Sequence, residues 1–351
     1  MTNAPSPLWM PHVHADRRGR LLVRNLVRDA LRGLLAGEGF VEVDPPLLQI
    51  SPGNEAHIAG FATQFFDGFS PAQPLYLHSS SEFACKKLLA AGEERIFTLG
   101  HVFRNRERGP LHHPEFTMLE WYRARQPYTA VMEDCAAMLK AAARAGGVEL
   151  LQYRGRTADP FAEPERLPVV EAFQRHAGIA LKVLLPDSAG DPRHSFAKAT
   201  ENAGVRITGD DTWSDIFSKV LAQCIEPHLG LGRATLLMDY PVCEAALARP
   251  KPEDPRFAER FELYACGMEL ANGFGELTDA TEQRRRFEAE MAEKQRIYGE
   301  TYPLDEDFLA ALTHMPDASG CALGFDRLAM LVTGAARIED VLWAPVAEAS
   351  A

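Results

Sequence analysis

Residues 103–123, FRNRERGPLHHPEFTMLEWYR, constrain this chain more than any other segment. Two strand-like runs flank a polar loop containing Gly109 and Pro110, so the segment reads as a long antiparallel hairpin. Period-two geometry on the second run puts Phe116, Met118, Glu120 and Tyr122 on one face, with Thr117, Leu119 and Trp121 on the other. A carboxylate among aromatic rings on one face suits a cationic, partly apolar ligand. Singly, Phe116 reads as core, Glu120 as a salt-bridge partner and Arg104 as a surface charge; their combination carries the information.

The hairpin sits in a chain where strands and helices intermix without a βαβ beat. Residues 16–38 carry apolar positions at helical spacing, closed by Gly37 and Gly39. On that helix Arg20, Arg24, Arg28 and Arg32 lie four apart and form a basic stripe, either a solvated face or a docking surface for an acidic partner. Residues 40–48 read as a short strand stopped by Pro45 and Pro46. Residues 75–77 and 96–104 read as strands, and 81–91 and 129–145 as helices. Helical fragments and Pro/Gly breaks suggest a peripheral helical layer over residues 148–232. The pattern predicts an α+β fold around a largely antiparallel sheet flanked by helices. A flexible lead-in over residues 1–15 and one compact catalytic domain over 16–351 complete the expected organisation.

A formal net charge of −12 argues against broad binding of nucleic-acid backbones, whose affinity comes chiefly from Lys and Arg displacing counterions. Cys85, Cys135, Cys224, Cys243, Cys266 and Cys321 show neither a CxxC pair nor zinc-ligand spacing, and read as reduced thiols. No apolar run approaches the roughly 20 residues that span a bilayer, and no signal-peptide pattern opens the sequence. The expected location is the cytoplasm.

Residues 260–283 hold a second constellation, in which Glu262 and Glu269 bracket a turn near residues 265–267. A hairpin folded symmetrically there makes them direct cross-strand neighbours, about 4.5 to 5.5 Å apart at Cβ. Two such carboxylates repel unless a cation sits between them, and Mg²⁺ with ATP is the natural candidate. Alternatively, one of them faces solvent or pairs with an arginine. Residues 315–331, MPDASGCALGFDRLAML, read as a small-residue strand entering a helix with Arg327 at the junction.

Taken together, Arg104, the His112xxxPhe116 spacing and Glu120 resemble motif 2 of the class II aminoacyl-tRNA synthetases. Residues 260–283 resemble the lysyl-type members of that family, and residues 315–331 resemble motif 3. The resemblance runs from about residue 16 to residue 343. It implies the class II catalytic fold and adenylation chemistry, with Arg104 on the α-phosphate, Phe116 on the adenine and Arg327 on the γ-phosphate. His112 belongs to the same ATP set. Relatives usually carry an acid for the adenine edge two residues after the arginine; here Arg106 stands there and Glu107 follows, and Glu107 is counted in the ATP site. Glu262 and Glu269 are implied as Mg²⁺ ligands, with Glu262 also counted in the ATP site. Asn272 is implied for the substrate carboxylate, Ser80, Glu82 and Glu120 for the backbone-ammonium end, and Tyr122 with Glu276 for the side-chain ammonium.

Motif 1 is expected near the start, which leaves no room for an anticodon-binding domain before it. That stripped form resembles the ligases of this family that attach (R)-β-lysine or lysine to elongation factor P. Ala322 stands where the synthetases have glycine, a methyl that could reshape the amino-acid pocket. The resemblance implies ATP and Mg²⁺ as cofactors, elongation factor P as protein partner, a homodimer, and no use for tRNA or membranes. A truncated synthetase charging tRNA or another carrier, and an inactive regulatory relative, are the alternatives.

Overall fold

The computed structural model describes residues 9–188 and 190–347. Helix α1 (Pro11–Gly37) leads into β1 (Val41–Glu42) and a small sheet of β2 (Leu48–Gln49), β3 (Phe61–Phe65) and β4 (Gln73–Leu77). Helix α2 (Glu82–Ala90) precedes the hairpin of β5 (Arg95–Phe103) and β6 (Glu115–Ala124), and α3 (Tyr128–Gly146) follows it. Next come β7 (Leu151–Tyr153), β8 (Arg156–Asp159), β9 (Glu165–Pro168), α4 (Val169–Ala177), α5 (Pro192–Asn202) and α6 (Trp213–Val220). After β10 (Gly232–Arg233) and β11 (Thr235–Met238) the chain forms the hairpin of β12 (Arg260–Ala265) and β13 (Met268–Gly275). It finishes with α7 (Ala280–Tyr298), α8 (Glu306–Leu312), β14 (Ala318–Gly324) and α9 (Phe325–Thr333).

The main sheet has eight strands in the order β1-β5-β6-β14-β13-β12-β11-β9. Neighbours from β5 to β12, and β11 against β12, pair antiparallel, while β1 and β9 add parallel edges. The expected α+β class therefore holds. One sheet face packs against α1, α3 and α9, burying Leu31, Trp121, Met138, Leu263, Leu323 and Leu328. Such burial contributes on the order of 2 kcal/mol per large side chain and ties the sheet to its helices. The other face is left open at its middle, between the Phe83/Phe287/Phe308 cluster and an aromatic core of Phe173, Phe196, Trp213 and Phe217.

Three expectations change. Met1–Leu8 lie outside the described residues, but the lead-in does not reach residue 15: Pro11 opens α1, where its fixed φ suits a first helical turn. Residues 148–232 do hold a helical layer, α4–α6, but they also supply β9, the edge strand of the main sheet. The arginine stripe is not a surface feature at Arg24. A step of four residues drifts only about 40° around a helix, so Arg24 falls in the middle of the buried row Arg17, Leu21, Val27, Leu31 and Leu35. Its guanidinium bonds Asp326 Oδ1 at 2.8 Å and Thr117 Oγ1 at 2.8 Å. Arg32 stays on the surface with Glu42, and Leu22 and Leu26 face outward.

Candidate active site

Strand β6 alternates as the sequence predicts. Thr117 points toward α1 and α9, while Phe116 and Met118 line a cleft of about 250 Å³ on the open face. Further along that face, Glu120 is fully enclosed and accepts from Ser80 Oγ (3.0 Å), Ser81 N (2.8 Å) and Tyr122 Oη (3.0 Å). Beside β6 runs β14, whose small side chains keep the floor low. Ala322 pairs with Glu120 on one side and Asn272 on the other, so three sequence-distant candidates stand in one row. Gly320 is required where it stands: a Cβ there would lie 2.4 Å from Glu276 Oε1 and 2.4 Å from the Tyr122 ring.

The β12–β13 hairpin departs from the symmetric fold expected. Its turn is Cys266–Gly267, both left-handed, within the 265–267 stretch expected. A bulge then shifts the register between Leu263 and Tyr264, so Glu262 pairs with Asn272 and Tyr264 with Glu269. Glu262 and Glu269 are thus not directly opposed. The extra residue on β13 has a different benefit: positions 269 and 272 differ by an odd number and would otherwise face opposite ways. With the bulge, Glu262, Tyr264, Glu269 and Asn272 share the cleft side.

Glu262 accepts from Tyr240 Oη and Tyr264 Oη at 2.6 Å each and pairs with Arg260 at 2.6 Å. Glu269 keeps 41% side-chain exposure because it faces the cleft, yet the walls desolvate it. That desolvation, reinforced by Glu262, holds its carboxyl above the usual range. Nearby Glu226 is pushed up to about 7, first by burial and then by Glu262 and Glu269. Crowded oxygens whose ionised forms repel one another fit a hard divalent cation that takes one or two carboxylates and completes its shell with substrate oxygens.

Beside these carboxylates the charge is positive, with Arg327 Nη1 3.5 Å from Glu269 Oε2. Arg104 lies over the Phe116 ring at 5.4 Å, and its buried Nε has no hydrogen-bond partner among the described residues. Arg327 is held in advance: Nη1 donates to Glu269 O at 2.9 Å and Nη2 to His112 Nε2 at 2.8 Å. Accepting there requires an unprotonated ring nitrogen. Burial and then Arg327 lower the pKa of His112, which favours that form. The loop also sorts its two charged residues. Arg106, in the left-handed region, turns away to Glu300 (3.1 Å) and the Tyr298 ring, leaving Glu107 on the cleft wall.

The family model for class II tRNA synthetases of the D, K and N type matches residues 8–348. The chain belongs to this family. Among class II relatives, the elongation factor P–(R)-β-lysine ligase of Sodalis glossinidius is 35% identical over 96% of this chain and 97% of its own length. The protein of that name in Yersinia enterocolitica is 36% identical over 97% and 98%. A lysine–tRNA ligase of Pelotomaculum thermopropionicum is 36% identical over 92% of this chain, which spans only 62% of that relative.

Within this class II scaffold the candidates divide by depth. Ser80, Glu82, Arg104, Glu107, His112, Phe116, Glu269, Asn272, Ala322 and Arg327 line the cleft. Glu120, Tyr122, Glu262 and Glu276 form a buried layer behind its wall. The sequence reading missed Glu55, a lining residue on a loop before β3, whose carboxyl burial pushes up while Arg104 opposes. No periodicity marks a loop residue. It also missed Lys86, one helical turn after Glu82, although that spacing alone would have paired them.

Proposed function

We propose that this chain uses ATP to activate (R)-β-lysine or lysine as an aminoacyl adenylate and then transfers it to a lysine side chain of elongation factor P. The observation that carries the reading is the polarity of one cleft. Two arginines and a ring platform stand at one end, and Glu82, Glu120 and Glu276 cluster at the other. The named activity of relatives matched over nearly their whole length supplies the acceptor.

In this reading Phe116 stacks on the adenine and Glu107 meets its edge, while Arg104, whose Nε has no partner among the described residues, meets the α-phosphate with its planar fork. Arg327, already fixed by His112 and Glu269, meets the γ-phosphate without reorganising, which is how preorganised charge lowers a barrier. Glu262 and Glu269 would hold Mg²⁺, which supplies charge neutralisation to the phosphates. Asn272 meets the amino-acid carboxylate. Ser80, Glu82 and Glu120 surround one ammonium; Tyr122 and Glu276 surround the other. Glu276 Oε1, buried and without a hydrogen-bond partner among the described residues, is the acceptor left for it.

The carboxylate, held close to the α-phosphorus, attacks it and pyrophosphate departs with the bonding pair. A deprotonated lysine amine of the acceptor then attacks the adenylate carbonyl, AMP leaves, and the nitrogen loses a proton. An enzyme modifying a translation factor would work in the cytoplasm, and among the described residues no helix is long and apolar enough to cross a membrane.

The reading is tested by ATP–pyrophosphate exchange with (R)-β-lysine, (S)-α-lysine and norleucine. Exchange with a diamino acid and none with norleucine is expected. Equal exchange with norleucine would remove the acidic pocket from the account, and none with any of the three would favour an inactive relative.

A further inference from the structure

Lys86 carries an ammonium that no step above uses. It rises from α2 with no side-chain exposure, and its Nζ lies 2.5 Å from Glu82 Oε1 and 2.6 Å from Glu276 Oε2. The contact to Glu276 is an ion pair angled outside hydrogen-bond geometry, and Glu276 Oε1 has no partner among the described residues. Glu120 completes the group, yet its hydrogen bonds come from Ser80, Ser81 and Tyr122, all neutral donors. Two of the three carboxylates therefore share the Lys86 ammonium, and Glu120 is held by neutral donors alone. The group's formal excess of two negative charges matches the two ammonium groups of a lysine-type amino acid.

Folding alone does not account for this arrangement. A buried ion pair contributes little net stability compared with apolar side chains of the same volume, and α2 already packs Phe83, Cys85 and Leu89 into the core. We propose that Lys86 is a positioning residue for the amino acid: it fixes the spacing between Glu82 and Glu276 so that their remaining oxygens receive the substrate ammonium groups. This rests on the cleft being the amino-acid site.

The surroundings favour the same division of labour. Burial alone lowers the Lys86 pKa, but Glu276 and then Glu82 outweigh it and keep the ammonium charged. Burial pushes Glu276 up to about 7 against the pull of Lys86, with Glu82 adding to the rise and Arg249 opposing it. Tyr122 and Cys321 are the other titratable groups near that carboxyl. Removing the ammonium leaves Glu276 more fully protonated at neutral pH, where it no longer attracts a cation.

The test compares wild type with Lys86→Met in ATP–pyrophosphate exchange at pH 7 and pH 9, with thermal melting to confirm folding. Lys86→Gln, which keeps a donor for both carboxylates, replaces it if the methionine variant does not fold. The amino-acid KM should rise about tenfold or more at pH 7, recover in part at pH 9, and leave the ATP KM within about twofold. A folded variant with an unchanged amino-acid KM and pH profile, or with equal losses for both substrates at both pH values, overturns the role of Lys86. If wild type itself exchanges with no lysine-type amino acid, the reading of the cleft falls first and this inference with it.

Discussion

Arg104 and Arg327 occupy the same end of the cleft but are held differently: Arg104 Nε has no hydrogen-bond partner among the described residues, whereas Arg327 is bonded to Glu269 and His112. Arg104→Ala is expected to lower the exchange rate by about 10²–10³, and Arg104→Lys should recover only part of it, since a point charge lacks the planar fork. Stopped-assay rates at saturating ATP check both. Gly320→Ala places a methyl against Glu276 and Tyr122; it should raise the amino-acid KM at least tenfold while the ATP KM holds, measured in the same exchange assay. Ala322→Gly removes the methyl between Glu120 and Asn272. One methyl is worth about 1 to 3 kcal/mol in discrimination, so the ratio of kcat/KM for (R)-β-lysine over (S)-α-lysine should change by tenfold or more; an unchanged ratio would clear Ala322 of a specificity role. The same scale carries the pH response. Glu276, raised to about 7 by burial, is anionic above that value and protonated below it, so the amino-acid KM should climb as pH falls through 7 and stay flat above about 8.

The elements that carry these residues were legible to different degrees. Helices α2 and α3 follow from apolar residues at helical spacing, and the β5–β6 hairpin from two strand-like runs around Gly109 and Pro110, although β6 is buried on both faces. The register of β12–β13 did not follow, since a bulge leaves no mark in composition and shifts every pairing beyond it. Without that bulge Glu269 and Asn272 could not share a face, so half of the expected acidic site depends on a feature the residues do not announce. Arg24 was misread for a related reason: a spacing of four gives a row but not the direction in which it faces, and here Asp326 and Thr117 draw the charge inward. The turn itself is testable. Gly267→Ala would set a side chain in the left-handed region, costing about 1 to 2 kcal/mol. A drop of a few degrees in Tm, with exchange reduced by a looser hairpin, is expected, and an unchanged Tm would show that the turn relaxes freely.

For the whole molecule, the outer face of α1 and the neighbouring strands leave Leu22, Leu26, Val41, Leu47, Leu48 and Ile50 exposed. Apolar surface so gathered suits a two-fold contact between copies of the chain. Sedimentation at micromolar concentration should give a dimer, and Leu22→Asp with Leu26→Asp a monomer; a monomeric wild type would count against the contact. Because α1 also sends Arg24 to Asp326, next to Arg327, such a dimer would brace the arginine end of the cleft. Purified chain, ATP, Mg²⁺ and (R)-β-lysine are incubated separately with elongation factor P and with tRNA, and both acceptors are analysed by mass. Elongation factor P heavier by one lysyl unit on a lysine side chain, with tRNA unmodified, is the result this account predicts. Charged tRNA beside unmodified elongation factor P would contradict it.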